Sequence, residues 1–134
     1  TKGKEVANTF YWRSNDKYEG RKTLTGPTSS GFEDLSKLKQ VQLKTRYQTY
    51  QEGDRHFIKA EIKNPSSTVA FFTQLQLLGQ DKKPVRPSFY TDNFFSHLPG
   101  ESKTVIIETA ASDMPSEPTF VVKGWNIKPS SFKL

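Results

Sequence analysis

Fourteen acidic residues, two histidines and no cysteine are what this 134-residue chain offers for chemistry. A carboxylate pair serves general acid–base catalysis when burial or a neighbouring charge holds a proton on one member. Asp54, Glu61, Glu101 and Glu108 fall instead in turns or on the polar faces of alternating segments, where solvated charge is the expectation. A hydrolytic triad needs a histidine beside a nucleophile. His56 opens a strand-like segment, His97 precedes a Leu-Pro-Gly turn, and no Gly-x-Ser-x-Gly elbow is present. Two histidines without cysteine make a poor zinc set. No glycine-rich run opens a helix to cradle phosphate. Neither a catalytic group, a metal site nor a cofactor is expected.

Two binding chemistries remain. Lys39, Lys44, Arg46, Lys59 and Lys63 make a basic strip, with Tyr50 as a ring on which a base can stack. Glutamines and Glu61 interrupt the strip and no motif of a known reader accompanies it, so a solvated sheet face is the preferred reading and nucleic acid is not an expected partner. Sugar binding is the other chemistry: aromatic rings stack on pyranose faces while polar neighbours bond the hydroxyls. The candidates for carbohydrate contact are Trp12, Tyr18, Tyr90 and Asp92, with Tyr11 and Asn93 beside them. Against this, β-sandwiches commonly bury aromatics, and the same rings serve to fill a core or a seam with a neighbouring domain.

These side chains must be positioned by short strands. Glu5 to Trp12 carries β-favouring residues, and Arg13 to Gly31 reads as a long loop. Ser30 and Glu33 match a capping box, and Phe32, Leu35 and Leu38 recur at three-residue spacing, which predicts one helix of about two turns. From Gln40 the period becomes two. Segments 40–50, 56–64, 69–78 and 103–108 alternate apolar with polar, placing Ile58, Ile62, Phe71, Leu75, Leu77 and Ile106 inside. Ser88 to Phe95 reads as a short aromatic strand and Phe120 to Trp125 as the last strand, with the Trp125 ring closing the core; a polar tail starts at Lys128. About seven strands with turns every ten or so residues are the signature of an all-β, antiparallel sandwich or barrel. Alternation excludes a parallel sheet buried on both faces.

Composition agrees. Hydrophobic residues are 33% of the chain but aromatics 13%, ten of them Phe, so the core is built from few, large side chains. Residues 1–134 fit one domain that needs no disulfide or metal. No apolar run approaches the roughly 20 residues of a membrane span, so no membrane partner is expected. The chain opens at Thr1 without a leader pattern, and the expectation is a segment of a longer polypeptide.

Four runs carry a family resemblance: Asn8-Thr9-Phe10-Tyr11-Trp12; Lys63-Asn64-Pro65-Ser66-Ser67 leading into Ala70-Phe71-Phe72; Tyr90-Thr91-Asp92-Asn93-Phe94-Phe95 leading into Leu98-Pro99-Gly100-Glu101; and Gly124-Trp125-Asn126. In this order they resemble the C-terminal immunoglobulin-like domain of family-two glycoside hydrolases, on the branch of the exo-β-mannosidases and exo-β-glucosaminidases. The resemblance runs from about Asn8 to Asn126. It implies a parent that is a retaining exo-β-glycosidase, β-mannosidase-like, with two catalytic Glu on a (β/α)₈ barrel. That barrel is not in this sequence, so no catalytic residue carries over. What the resemblance implies for this chain is a non-catalytic accessory domain that packs against the catalytic barrel of a hydrolase of β-mannosides or related β-glycosides, secreted or periplasmic. The other domains of that parent are its expected partners. A carbohydrate-binding module with its own aromatic site is the alternative.

Overall fold

A computed structural model describes residues 33–134. The chain divides into two compact units, Thr1–Leu38 and Lys39–Leu134. In the first, Glu33–Lys37 forms a 3₁₀ helix followed by a Leu38 N–H to Leu35 carbonyl bond of 3.4 Å. Among the described residues the predicted helix is this short 3₁₀ segment rather than α-helix; Ser30, its predicted cap, and Phe32 lie outside them. The predicted first strand, Glu5 to Trp12, lies outside the described residues, as does the loop that follows it.

The second unit holds eight strands in two antiparallel sheets. They are β1 (Lys44–Glu52), β2 (Arg55–Lys63), β3 (Ala70–Leu78), β4 (Phe89–Tyr90), β5 (Phe95–His97), β6 (Ser102–Ala110), β7 (Thr119–Lys123) and β8 (Ser130–Lys133). One sheet runs β1-β2-β6-β4 and the other β5-β3-β7-β8. The β1–β2 hairpin closes at Gly53, whose φ of 58° suits a residue without Cβ. Ile58, Ala60 and Ile62 from β2, Val105 and Ile107 from β6, Leu75 and Leu77 from β3, and Phe120 and Val122 from β7 bury in one cluster. Each such side chain, fully buried, stabilises the fold by about 1.5–3 kcal/mol apart from alanine's smaller share. The result is an immunoglobulin-like sandwich of two sheets, as the family resemblance implies, and not the barrel that the alternation alone left open.

Four expectations are corrected. Ile106 points outward while Val105 and Ile107 fill the core. In a run of three apolar residues, period two leaves the inward face undecided, and a shift of one residue flips it. Ser88 to Phe95 is not one strand: β4 pairs with β6 and β5 pairs with β3, so the chain changes sheet between them. The tail beyond Lys128 contains β8, and Phe132 reaches back to Phe120 (ring centroids 5.9 Å) and Tyr47 (5.4 Å). Trp125 lies past the end of β7 and is exposed; Phe120 fills the core in its stead.

Candidate functional site

Three buried or half-buried asparagines, one from each described motif, hold the backbone where the sheets cannot. Asn64 donates from Nδ2 to the carbonyls of Thr68 (2.8 Å), His97 (3.3 Å) and Leu98 (3.3 Å), and its Oδ1 accepts from Ser66 N–H (3.1 Å) and Oγ–H (2.7 Å). Its own backbone bonds Glu101 and Gly100, so it ties the Asn-Pro-Ser-Ser turn to the Leu-Pro-Gly-Glu turn. Asn93 pairs with both backbone groups of Leu75, donating to its carbonyl (3.0 Å) and accepting its N–H (2.8 Å), at the point where the chain changes sheet. Asn126 accepts Phe71 N–H (2.8 Å) and donates to Lys39 and Val69 carbonyls (2.9 and 2.8 Å). Buried backbone groups are expensive to leave unpaired, and a carboxamide supplies both donors and an acceptor.

The titratable groups are engaged in the same way. Asp92 pairs with Lys103 and accepts Asn93 N–H (2.7 Å). The Tyr90 oxygen accepts Leu77 N–H (3.0 Å), and burial raises the phenol above its ordinary value. Of the predicted carbohydrate contacts, Tyr90 and Asp92 thus spend these polar atoms within the domain; Trp12 and Tyr18 lie outside the described residues. Glu108 holds Arg55 (Nε to Oε1 2.6 Å), and Glu101 caps its turn by accepting Leu98 N–H (2.7 Å). His97 is buried edge-on to Phe95 (5.0 Å), with Nδ1 3.4 Å from Thr73 Oγ1. Burial pushes its pKa below the ordinary value, opposed in part by the Glu101 carboxylate. Among the described residues no cluster of three potential metal ligands occurs.

Surface features remain. On the β1–β2 face Lys44 stands opposite Lys63, Arg46 opposite Glu61 and Gln48 opposite Lys59, so the basic strip is a real cross-strand grid. The Tyr50 ring, however, lies stacked on Phe57 at 5.0 Å.

A corner on the other sheet is apolar. Phe72, Phe94 and Trp125 are 48%, 53% and 60% exposed and line one shallow hollow with Gln74, Lys123 and Gly124. The Phe72 and Phe94 rings lie 6.2 Å apart, tilted by 59°. Both residues have φ of 57°, in the left-handed region. A bulky residue there costs on the order of 1–3 kcal/mol. Phe72 is the extra residue of a bulge, since Ala70 pairs with His97 but Thr73 with Phe95. Behind it Gly124 packs so closely that a Cβ would lie 2.8 Å from the Phe72 carbonyl oxygen and 2.9 Å from that of Phe71. Sequence reasoning missed this corner, yet a signal was present. Phe71-Phe72 and Phe94-Phe95 are doublets, and neighbours on a strand point to opposite faces, so one ring of each must leave the core. Phe71 and Phe95 are the buried members.

Residues 23–127 match the family model of the exo-β-D-glucosaminidase Ig-fold domain. An exo-β-D-glucosaminidase of Streptomyces avermitilis is 31% identical over an alignment 134 positions long that covers 92% of this chain and 15% of that protein. The solved exo-chitosanase CsxA of Amycolatopsis orientalis superposes with a TM-score of 0.72 at 23% identity, over 78% of this chain and 13% of that one. A complex of the same enzyme with PNP-β-D-glucosamine gives 0.71 at 23% identity over the same shares. The structural likeness shows the fold.

Proposed function

This chain belongs to the exo-β-D-glucosaminidase Ig-fold domain family, and on that premise we propose that it is a non-catalytic accessory domain of a larger exo-β-glycosidase, packing against the catalytic body. The observation that carries the reading is where the motif side chains go. Asn64, Asn93 and Asn126 each satisfy backbone groups, Asp92 and Glu108 pair with Lys103 and Arg55, and Glu101 caps a turn. The motifs specify a scaffold.

The sugar proposed is a β-linked glucosamine. The relatives are named for glucosaminidase and exo-chitosanase activity, so the mannoside expectation finds no support among them. A polymeric substrate of that kind fits a secreted or periplasmic parent. Among the described residues, a sugar site of this domain's own would rest on the exposed Trp125, with Gln74 and Lys123 in the same hollow. Phe72 and Phe94 beside it have no polar side-chain atom to bond a hydroxyl.

Hydrolysis of aryl β-D-glucosaminide and aryl β-D-mannoside tests the reading. The polypeptide that carries this domain should turn over the glucosaminide, and the 134-residue chain should turn over neither. Turnover by the isolated chain, lost on replacing one of its own carboxylates, would sink the accessory role. A parent that prefers the mannoside would sink the sugar assignment.

A further inference from the structure

The geometry points to Phe72, Phe94 and Trp125 as the surface by which this domain docks onto another part of its own polypeptide, with the two phenylalanines held outward by left-handed backbone. This rests on the accessory-domain reading and adds to it the interface and the class of partner.

Phe72 and Phe94 adopt a backbone conformation that bulky L-residues avoid, and each leaves about half its ring in water. A ring so placed stabilises the isolated fold little, so the strained conformation serves something other than this domain's core. The Trp125 N–H bonds the Phe71 carbonyl (3.0 Å), the Phe72 N–H bonds Ser96 Oγ (3.2 Å), and Gly124 is pressed against the Phe71 and Phe72 carbonyls. The rings stand on a fixed platform, which lowers the ordering cost of binding.

The exposed area selects the occupant. Aromatic side chains offer roughly 150–250 Å² each, so three rings about half exposed present roughly 250–400 Å². That is the scale of a functional patch on a monomer. It falls well short of the roughly 800 Å² per partner of a stable complex between free proteins, which excludes a lasting pair of copies. It approaches one side of an interface between domains of one chain, which buries roughly 600–1,500 Å² in all. A tether supplies the rest through effective concentration. This chain spans only 13–15% of the relatives' length, so covalently attached partner surface is plentiful. The partner is an apolar surface with hydrogen-bond acceptors opposite Lys123 and Gln74. A sugar fits less well, because the 59° tilt between the phenylalanine rings gives no flat platform.

Hydroxyl-radical footprinting of the isolated 134-residue chain and of the intact parent polypeptide tests this. Oxidation of Phe72, Phe94 and Trp125 should slow several-fold in the parent. Phe94→Asn in the parent should restore oxidation of Phe72 and Trp125. In the isolated chain the same substitution should leave the urea midpoint unchanged or raised, because Asn accepts positive φ. Equal labelling of the three rings in both proteins overturns the proposal. So does a lowered midpoint for Phe94→Asn, which would make the ring structural, and so does saturable binding of glucosamine oligomers that protects Trp125 in the isolated chain. Aryl-glucosaminide turnover by the wild-type parent reads the accessory role separately, so either idea can fail without the other.

Discussion

Replacing Asn126 by Ala strips three bonds from a residue that is 2% exposed. Phe71 N–H loses its acceptor, and the Lys39 and Val69 carbonyls lose their donor. The backbone bond from Val41 N–H to the Asn126 carbonyl (2.7 Å) survives, so the segment stays in place with its polar groups unpaired. An unsatisfied buried group costs roughly 1–3 kcal/mol. Three of them, with partial relief from entering water, give an expected loss of roughly 3–6 kcal/mol. That is a large part of the roughly 5–15 kcal/mol that holds a domain of this size. Asn126→Asp should be worse than Ala at neutral pH. It keeps an acceptor for Phe71 N–H but turns a second oxygen toward two carbonyls and buries a charge without a partner. Urea denaturation followed by circular dichroism, extrapolated to water, measures both. A loss below about 1 kcal/mol for Ala, or an Asp variant as stable as Ala, would refute the assignment of Asn126 as the bond that closes this end of the sandwich.

Other outcomes follow from the same geometry. Folded His97 titrates below its ordinary value of 6.5, so the unfolded chain takes up a proton first as pH falls. Stability should therefore be full above about 6.5 and decline below it, and His97→Gln should flatten that part of the curve; a wild-type midpoint constant from about pH 7 to about pH 5 would contradict this. Gly124→Ala should lose about 1–3 kcal/mol to overpacking against Ile127 and the Phe71 and Phe72 carbonyls, whereas Gly100→Ala, at φ 80° with open space around it, should lose about 1 kcal/mol to backbone strain alone. Equal losses at the two glycines would show that the close approach at Gly124 is relieved elsewhere. Ile107→Ala should lose about 2–5 kcal/mol and Ile106→Ala far less; the reverse order would mean that β6 sits one residue out of register.

Much of the architecture can be read along the chain because it is local. Period-two alternation marks β1, β2, β3 and β6, and Glu52-Gly53-Asp54 turns the first hairpin because glycine accepts its φ. The family motifs lie in order along the sequence, and their residues prove to be the asparagines that bond the backbone. The candidate sugar contacts were legible only as residue types: nothing local tells a Tyr90 that accepts a buried N–H from a tyrosine facing water.

What tertiary structure alone decides is which side of each choice wins. The inward face of Val105-Ile106-Ile107 depends on how β6 registers against β2, more than forty residues earlier. Which phenylalanine of each doublet leaves the core depends on the bulge between β3 and β5. Asn64 meets the His97 and Leu98 carbonyls only because the two connections that cross between the sheets, β2 to β3 and β5 to β6, converge there. The fate of the last residues as β8 depends on an open edge of β7 that no local pattern announces. Turn chemistry and period belong to neighbouring residues, whereas burial belongs to whichever distant strand arrives to cover them; so the strands were determined by sequence, and the exposed corner of Phe72, Phe94 and Trp125 by the packing of the two sheets.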